Sequence, residues 1–195
     1  MDTCFPADFE TLLAGLVDLP PQQARVDAFV AVRDLAYGDI GSRNPFDVLK
    51  AKKGTCSGKH ALLKLLLERL GYGVQSYFAK HDFSRFPIEP WPEELRQFRN
   101  KLLTDYHDFL KVNVEGRWMT VDAVFDQSMK PLGFPVYDWD GLSEMILPVK
   151  AQQVFACDAD VEEHKKALIA ELPLQVQRDR KAFLEALTKW LDGKR

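Results

Sequence analysis

The fold is decided by residues 106–122, which read YHDFLKVNVEGRWMTVD. Valines and aromatic residues alternate with polar residues on both sides of Glu115 and Gly116, a pattern typical of two antiparallel strands joined by a short turn. A two- or four-residue turn places His107 and Asp122 on one face of the sheet, whereas a three-residue turn places them on opposite faces. With a two-residue turn they are diagonal neighbours, about 7 to 8 Å apart at the backbone, so the carboxylate can reach an imidazole nitrogen.

A reactive cysteine is indicated by the turn KGTCSG at residues 53–58, which leads into the most apolar segment of the chain, residues 61–70. Peptide N–H groups at the start of a helix have no partner within the helix and stabilise an anion, so the thiolate form of Cys56 is favoured there. The segment is apolar around most of its circumference, which predicts a central helix buried on several sides. Cys56 would then stand on a rigid scaffold.

The rest of the chain reads as helix first, sheet in the middle and helix last, which predicts an α+β fold. Helical patterns cover residues 9–17, residues 21 to about 37, a short stretch from Asn44 to Leu49, and the chain after Asp160; a first strand is predicted at residues 74–79. Two long proline-containing connections, residues 81–100 and 126–140, are predicted to rim a cleft.

Composition fits one globular domain over residues 1–195. The chain is 46% hydrophobic and 28% charged, with a net charge of -3, so it has enough apolar side chains for its own core. The mild negative charge argues against nucleic-acid and membrane partners, and neither a signal peptide nor a membrane span is evident. Cys4, Cys56 and Cys157 cannot all pair, so a free thiol in a reducing cytoplasm is predicted.

The chain resembles the transglutaminase-like superfamily of cysteine enzymes. The resemblance rests on a Gly-x-Cys before a leucine-rich helix, on a His-x-aromatic strand, and on a Gly-x-Trp turn with an Asp four residues after the Trp. The residues that match are Gly54, Cys56, Leu62, Leu63, Leu65, Leu66, Leu67, Leu70, Gly71, His107, Phe109, Gly116, Trp118 and Asp122, with the lead-in Asn44 to Leu49. Together they cover about residues 44–126.

This resemblance implies a papain-like core in which a central nucleophile helix packs on a small antiparallel sheet between N- and C-terminal helices. It implies Cys56 as nucleophile, His107 as general base and acid, and Asp122 as the group that orients the imidazole. Ser57 follows the cysteine where many members carry Trp, and Phe109 stands where Trp is commoner, so the walls of the site differ and the substrate class does not carry over. No acidic cluster resembles the calcium sites of animal transglutaminases.

Other polar and aromatic residues have simpler interpretations. His60 lies one turn after Cys56 on the same helix, where it would pack rather than reach across the substrate path. His81 lacks a following hairpin and is predicted on a surface loop, and Trp118 is predicted to anchor the core. The cysteines and histidines show no paired ligand spacing, so neither a metal site nor a cofactor is expected.

The sequence therefore predicts thiol-dependent acyl transfer or hydrolysis of an amide, peptide or thioester bond, through Cys56, His107 and Asp122. The expected partner is a peptide, a protein, or a small amide or thioester; the oligomeric state, and water or an amine as acceptor, stay open. Two alternatives remain: an arylamine N-acetyltransferase-like enzyme, although the arginine- and glycine-rich approach to the cysteine is missing, and a catalytically silent binding module. A structural protein without a site is the third interpretation.

Overall fold

The computed structural model describes residues 5–86, 88, 90–157 and 159–194, and the fold is α+β as predicted. The α-helices in this part of the chain are α1 (Ala7–Val17), α2 (Pro21–Arg33), α3 (Pro45–Ala51), α4 (Cys56–Arg69), α5 (Val161–Ala170) and α6 (Leu174–Asp192), and short 3-10 helices cover Phe83–Arg85, Glu93–Phe98 and Gln127–Leu132. The strands are β1 (Ala36–Tyr37), β2 (Lys53–Gly54), β3 (Gly73–Asp82), β4 (Thr104–Val114), β5 (Arg117–Val121) and β6 (Gln153–Cys157). Cys4 lies outside the described residues.

Helix α4 is the centre of the structure and packs on several sides as predicted, although Glu68 and Arg69 in its last turn are exposed. It contacts α2, α3 and strand β4, and Leu62, Leu63, Leu66 and Leu67 are fully buried. Lys59 is also fully buried, and its ammonium group donates to three backbone carbonyl oxygens, including that of Val124 at 2.6 Å. These hydrogen bonds compensate a charge that would otherwise be costly to bury, and they fix α4 against the chain that follows β5.

The larger sheet is antiparallel, with the strand order β5-β4-β3-β6. Strands β4 and β5 form the predicted hairpin, in which Val114 pairs with Arg117 and Leu110 pairs with Val121. Glu115 and Gly116 have φ of 53° and 83°, the left-handed conformations that a two-residue hairpin turn requires. This turn fixes the register that sets His107 relative to Asp122.

Three boundaries differ from the sequence predictions. Helix α2 ends at Arg33 rather than near residue 37, because Ala36–Tyr37 pairs in parallel with Lys53–Gly54. Strand β3 continues to Asp82, where it pairs with Thr104, so the predicted strand was too short. Strand β6 was not predicted, since its pattern becomes meaningful only once β3 offers it an edge.

The first long connection folds into the core rather than around a cleft. Phe83, Phe86, Trp91 and Phe98 are buried, and the rings of Phe83, Trp91 and Phe98 lie within 5.0 to 6.1 Å of the Phe183 ring on α6. Burial of these large apolar side chains against α6 is favourable because it removes their surface from water. The predicted role of this connection as a cleft rim is therefore wrong.

Trp118 is also placed differently from its prediction. Its side chain lies near the turn end of the edge strand β5 and is 42% exposed, so it does not anchor the core. The residues of β5 that do so are Met119 and Val121, which are buried in the cluster around α4. None of the helices in the described ranges is both long and apolar enough to cross a membrane.

Substitution of Leu66 tests the central position of α4. Leu66→Ala removes a fully buried side chain, so we expect the free energy of unfolding to fall by about 2 to 5 kcal/mol, measured by urea denaturation. Leu174→Ala is the matched control, since that side chain is 69% exposed and should change the midpoint little. Equal midpoints for Leu66→Ala and the wild type would contradict the assignment.

Candidate active site

Cys56 is the first residue of α4, and the chain just before it passes close to the Val48 side chain. A side chain on Gly54 would lie 2.9 Å from Val48 of α3, so only glycine fits at this point of the Gly-x-Cys turn. The Cys56 side chain is buried but lines a pocket that opens to solvent. The first-turn N–H groups of α4 lie beside it, which suits a sulfur that carries negative charge.

The structure brings His107 and Asp122 together. The hairpin register places Phe109 level with Asp122, so His107 stands two residues further along β4. The Nε2 atom of His107 lies 2.5 Å from Oδ2 of Asp122, and both side chains are almost completely buried. Cys56 is among the groups that raise the pKa of the same ring, so the imidazole lies close to the thiol as well as to the carboxylate.

The surroundings of His107 favour its charged form. Burial alone lowers the pKa of this imidazole, but Asp122 and Cys56 outweigh burial and raise the pKa from 6.5 to about 10. Burial raises the pKa of Asp122, but the charge and hydrogen bond of His107 outweigh that effect and hold the pKa well below its usual range. The ring is therefore an imidazolium near neutral pH, facing the sulfur.

Asp122 is itself fixed by its neighbours. Its Oδ1 accepts a hydrogen bond of 3.1 Å from the Val124 backbone N–H, and its own N–H points at the sulfur of Met145. His60 lies on the adjacent turn of α4, and its Nε2 accepts a hydrogen bond of 2.9 Å from the Ala123 N–H. His60 thus packs beneath the pair and holds the turn after β5, the kind of role predicted for it.

His81 corrects a sequence prediction. It is buried in β3 opposite Asp105, not on a surface loop, and its ring lies edge-on to His107 with centroids 6.2 Å apart. Burial lowers the pKa of His81 to about 3, so this ring stays neutral beside the imidazolium. The alternating pattern that predicts β3 ends at residue 79, whereas the strand continues to Asp82.

Three residues that the sequence analysis did not single out for this role meet Cys56 on its other side. Lys165, from α5, places its Nζ 3.5 Å from the Cys56 sulfur, 3.2 Å from Ser57 Oγ and 3.0 Å from Asp108 Oδ2. The Ser57 hydroxyl also hydrogen-bonds Asp108. A lysine in the charged stretch after Asp160 reads as a solvated helix face, so no pattern in the sequence pointed to this contact.

The pocket at Cys56 is lined by the C-terminal helices and by residues around β1 and the start of α4. Its walls include Tyr37, Ile169, Leu184 and Thr188, and neither predicted connection contributes to it. Arg180 of α6 also lines the pocket, donating to Asp105 at 2.7 Å. Burial raises the pKa of Asp105, but Arg180, Lys165 and His81 outweigh it and lower the pKa to about 2. The C-terminal helices therefore contribute both apolar side chains to the pocket wall and positively charged side chains near the thiol.

The described residues contain no group of three or more His, Cys, Asp or Glu side chains arranged to hold a metal ion. Cys56 and Cys157 are free thiols. The absence of a cofactor stays a prediction.

Comparison with known proteins gives structural likenesses but no match in sequence. No protein-family profile matches the sequence, and no curated protein matches it. Among solved structures, the chain is similar to a protein from Cytophaga hutchinsonii described as a candidate cysteine protease, with 17% identity and a TM-score of 0.40. The match covers 80% of this chain and 55% of the other, so the chain spans little more than half the length of that protein. A likeness at this level assigns neither family nor activity.

The charged state of His107 predicts a pH dependence of stability. A pKa raised from 6.5 to about 10 in the folded state stabilises the fold fully below pH 6.5, and this contribution is lost as the pH rises to about 10. We expect the difference in unfolding free energy between wild type and His107→Gln to shrink over that range, measured by urea denaturation at a series of pH values. A difference that does not change with pH would contradict a charged His107.

Proposed function

We propose that this chain is a thiol-dependent enzyme that transfers or hydrolyses an acyl group, with Cys56, His107 and Asp122 as its catalytic residues. The observation that carries the proposal is the His107 ring, which bonds Asp122 at 2.5 Å and whose pKa is raised in part by Cys56 at the start of α4. A nucleophile, a base and a group that orients the base are the three parts of such a site. The order along helix, strand and following strand supports a transglutaminase-like type within a papain-like arrangement.

The proposed reaction begins with attack of the Cys56 sulfur on the carbonyl carbon of an amide, peptide or thioester. The carbon–sulfur bond forms, and the backbone N–H of Cys56 donates to the developing oxyanion. His107 then gives its proton to the leaving amine or thiol as the original acyl bond breaks. Asp122 accepts from Nε2–H throughout, so the other ring nitrogen faces the sulfur.

The second half of the reaction releases the acyl group. His107, now neutral, takes a proton from the acceptor, which attacks the thioester carbonyl and frees the thiolate. Water as acceptor makes the enzyme a hydrolase or protease, and an amine makes it a transferase. The free thiols Cys56 and Cys157 suit a reducing compartment, so we place the reaction in the cytoplasm.

Selective alkylation tests the nucleophile without knowledge of the substrate. Cys157 is more exposed than Cys56, so exposure alone predicts that Cys157 reacts first with iodoacetamide. We expect Cys56 to react faster at neutral pH, because it lies at a helix start and near His107, as measured by peptide mass spectrometry. His107→Ala should slow Cys56 and leave Cys157 unchanged. An inert Cys56 would instead favour a silent binding module.

The three proposed catalytic residues should differ in the loss they cause. Cys56→Ser replaces the thiol with a hydroxyl that is hardly ionised, so acyl transfer from an activated ester should be abolished. His107→Ala should be nearly as damaging, since both proton transfers are lost. Asp122→Asn should lower turnover by about 10²- to 10⁴-fold, because the ring adopts the wrong tautomer. A folded Asp122→Asn variant with wild-type turnover would reduce the proposal to a Cys–His pair.

A further inference from the structure

Lys165 is a buried charge with a complete set of partners at the proposed nucleophile. Its side chain is 11% exposed, and an ammonium group has three N–H donors. The three acceptors within reach are Asp108 Oδ2, Ser57 Oγ and the Cys56 sulfur. Desolvation makes such a lysine costly unless each donor is used, so this arrangement holds the ammonium in one place.

Asp108 fixes the ammonium but stands close to the sulfur itself. The Cys56 thiol donates to its Oδ2 at 3.4 Å, and the carboxylate repels the sulfur once the sulfur has lost its proton. Lys165 lies 3.0 Å from the same oxygen and neutralises that charge. Two N–H groups of Lys165 therefore donate to Asp108 and Ser57, and the third donates to the Cys56 sulfur, where the proposed reaction begins.

During attack, negative charge moves from the Cys56 sulfur to the carbonyl oxygen of the substrate. That oxygen is separated from the sulfur by a single carbon atom, so a donor that reaches the sulfur is placed to follow the charge. The best distance for such a donor is about 2.7 to 3.1 Å from the developing oxyanion. The backbone N–H of Cys56 supplies one donor, and a second is needed to complete the usual pair.

We propose that the Lys165 ammonium is the second oxyanion donor, held in place by Asp108 and Ser57. This inference rests on the proposed function and adds a catalytic residue delivered by α5. It also gives a role to Ser57, because a small hydroxyl side chain there bonds both Lys165 and Asp108. A charged donor suits a buried site, where hydrogen bonds to a developing negative charge are strengthened.

The experiment compares two reactions of the same sulfur. p-Nitrophenyl acetate acylates it through an oxyanion: the sulfur–carbon bond forms, the ester bond breaks, and p-nitrophenolate leaves. Iodoacetamide alkylates it by displacement of iodide, with no oxyanion. Both rates are measured on the pH plateau of each variant, where all reactive sulfur is thiolate, so a change in the thiolate fraction does not enter.

For Lys165→Met we expect the acylation rate to fall by about 10²- to 10³-fold, as for loss of one oxyanion donor, with alkylation near the wild-type rate. Removing the lysine leaves Asp108 buried without its counter-ion and endangers folding. The double variant Lys165→Met/Asp108→Asn removes both charges and should show the same pattern. Lys181→Met on the exposed face of α6 is the control, with both rates unchanged.

The other outcomes separate this inference from the proposed function. Acylation at the wild-type rate in a folded Lys165→Met or double variant overturns the oxyanion role. Equal losses in acylation and alkylation also overturn it, because Lys165 would then act only on the sulfur. If Cys56→Ser is acylated as fast as the wild type, the proposed function itself fails, and the role of Lys165 fails with it.

Discussion

The hydrogen bond between His107 and Asp122 is the interaction on which the proposed site depends. It joins the middle of β4 to the residue after β5, so it exists only in the register that the Glu115–Gly116 turn sets. A slip of one residue would turn one of the two side chains to the opposite face, so that the buried His107 and Asp122 would no longer bond each other. The turn thus determines the strand register, and the register determines whether His107 and Asp122 can form the proposed catalytic pair.

Positively charged side chains that are buried around α4 also constrain the structure, because each of them needs oxygen acceptors. Lys59 binds backbone carbonyls beneath the helix, Lys165 binds Asp108 beside its start, and Arg180 binds Asp105 along the pocket wall. Each positive group sits against oxygen acceptors that offset its desolvation. Two of the three come from α5 and α6, so the C-terminal helices do more than cover the core. They bring positive charge to a place where negative charge would develop in an acyl-transfer reaction.

Sequence patterns predicted the parts of the fold that depend on residues close together in the sequence. The central helix, the hairpin and the His107–Asp122 pairing follow from the apolar run, the alternation and the turn residues, each within about twenty positions. The contact of Lys165 with Cys56 joins residues 109 positions apart and depends on how α5 packs, which no periodicity encodes. The same is true of β6, which needs the edge of β3. His81 was predicted on a loop because strand β3 continues beyond the residues in which apolar and polar side chains alternate.

The central claim is that His107 is an imidazolium held between Asp122 and Cys56, and nitrogen-15 NMR of the labelled ring tests it most directly. With spectra assigned by loss of the signal in His107→Gln, the account predicts that both ring nitrogens carry protons at pH 8, where an ordinary histidine is neutral. A His107 ring with one unprotonated nitrogen at pH 8, titrating near 6.5, would contradict the account.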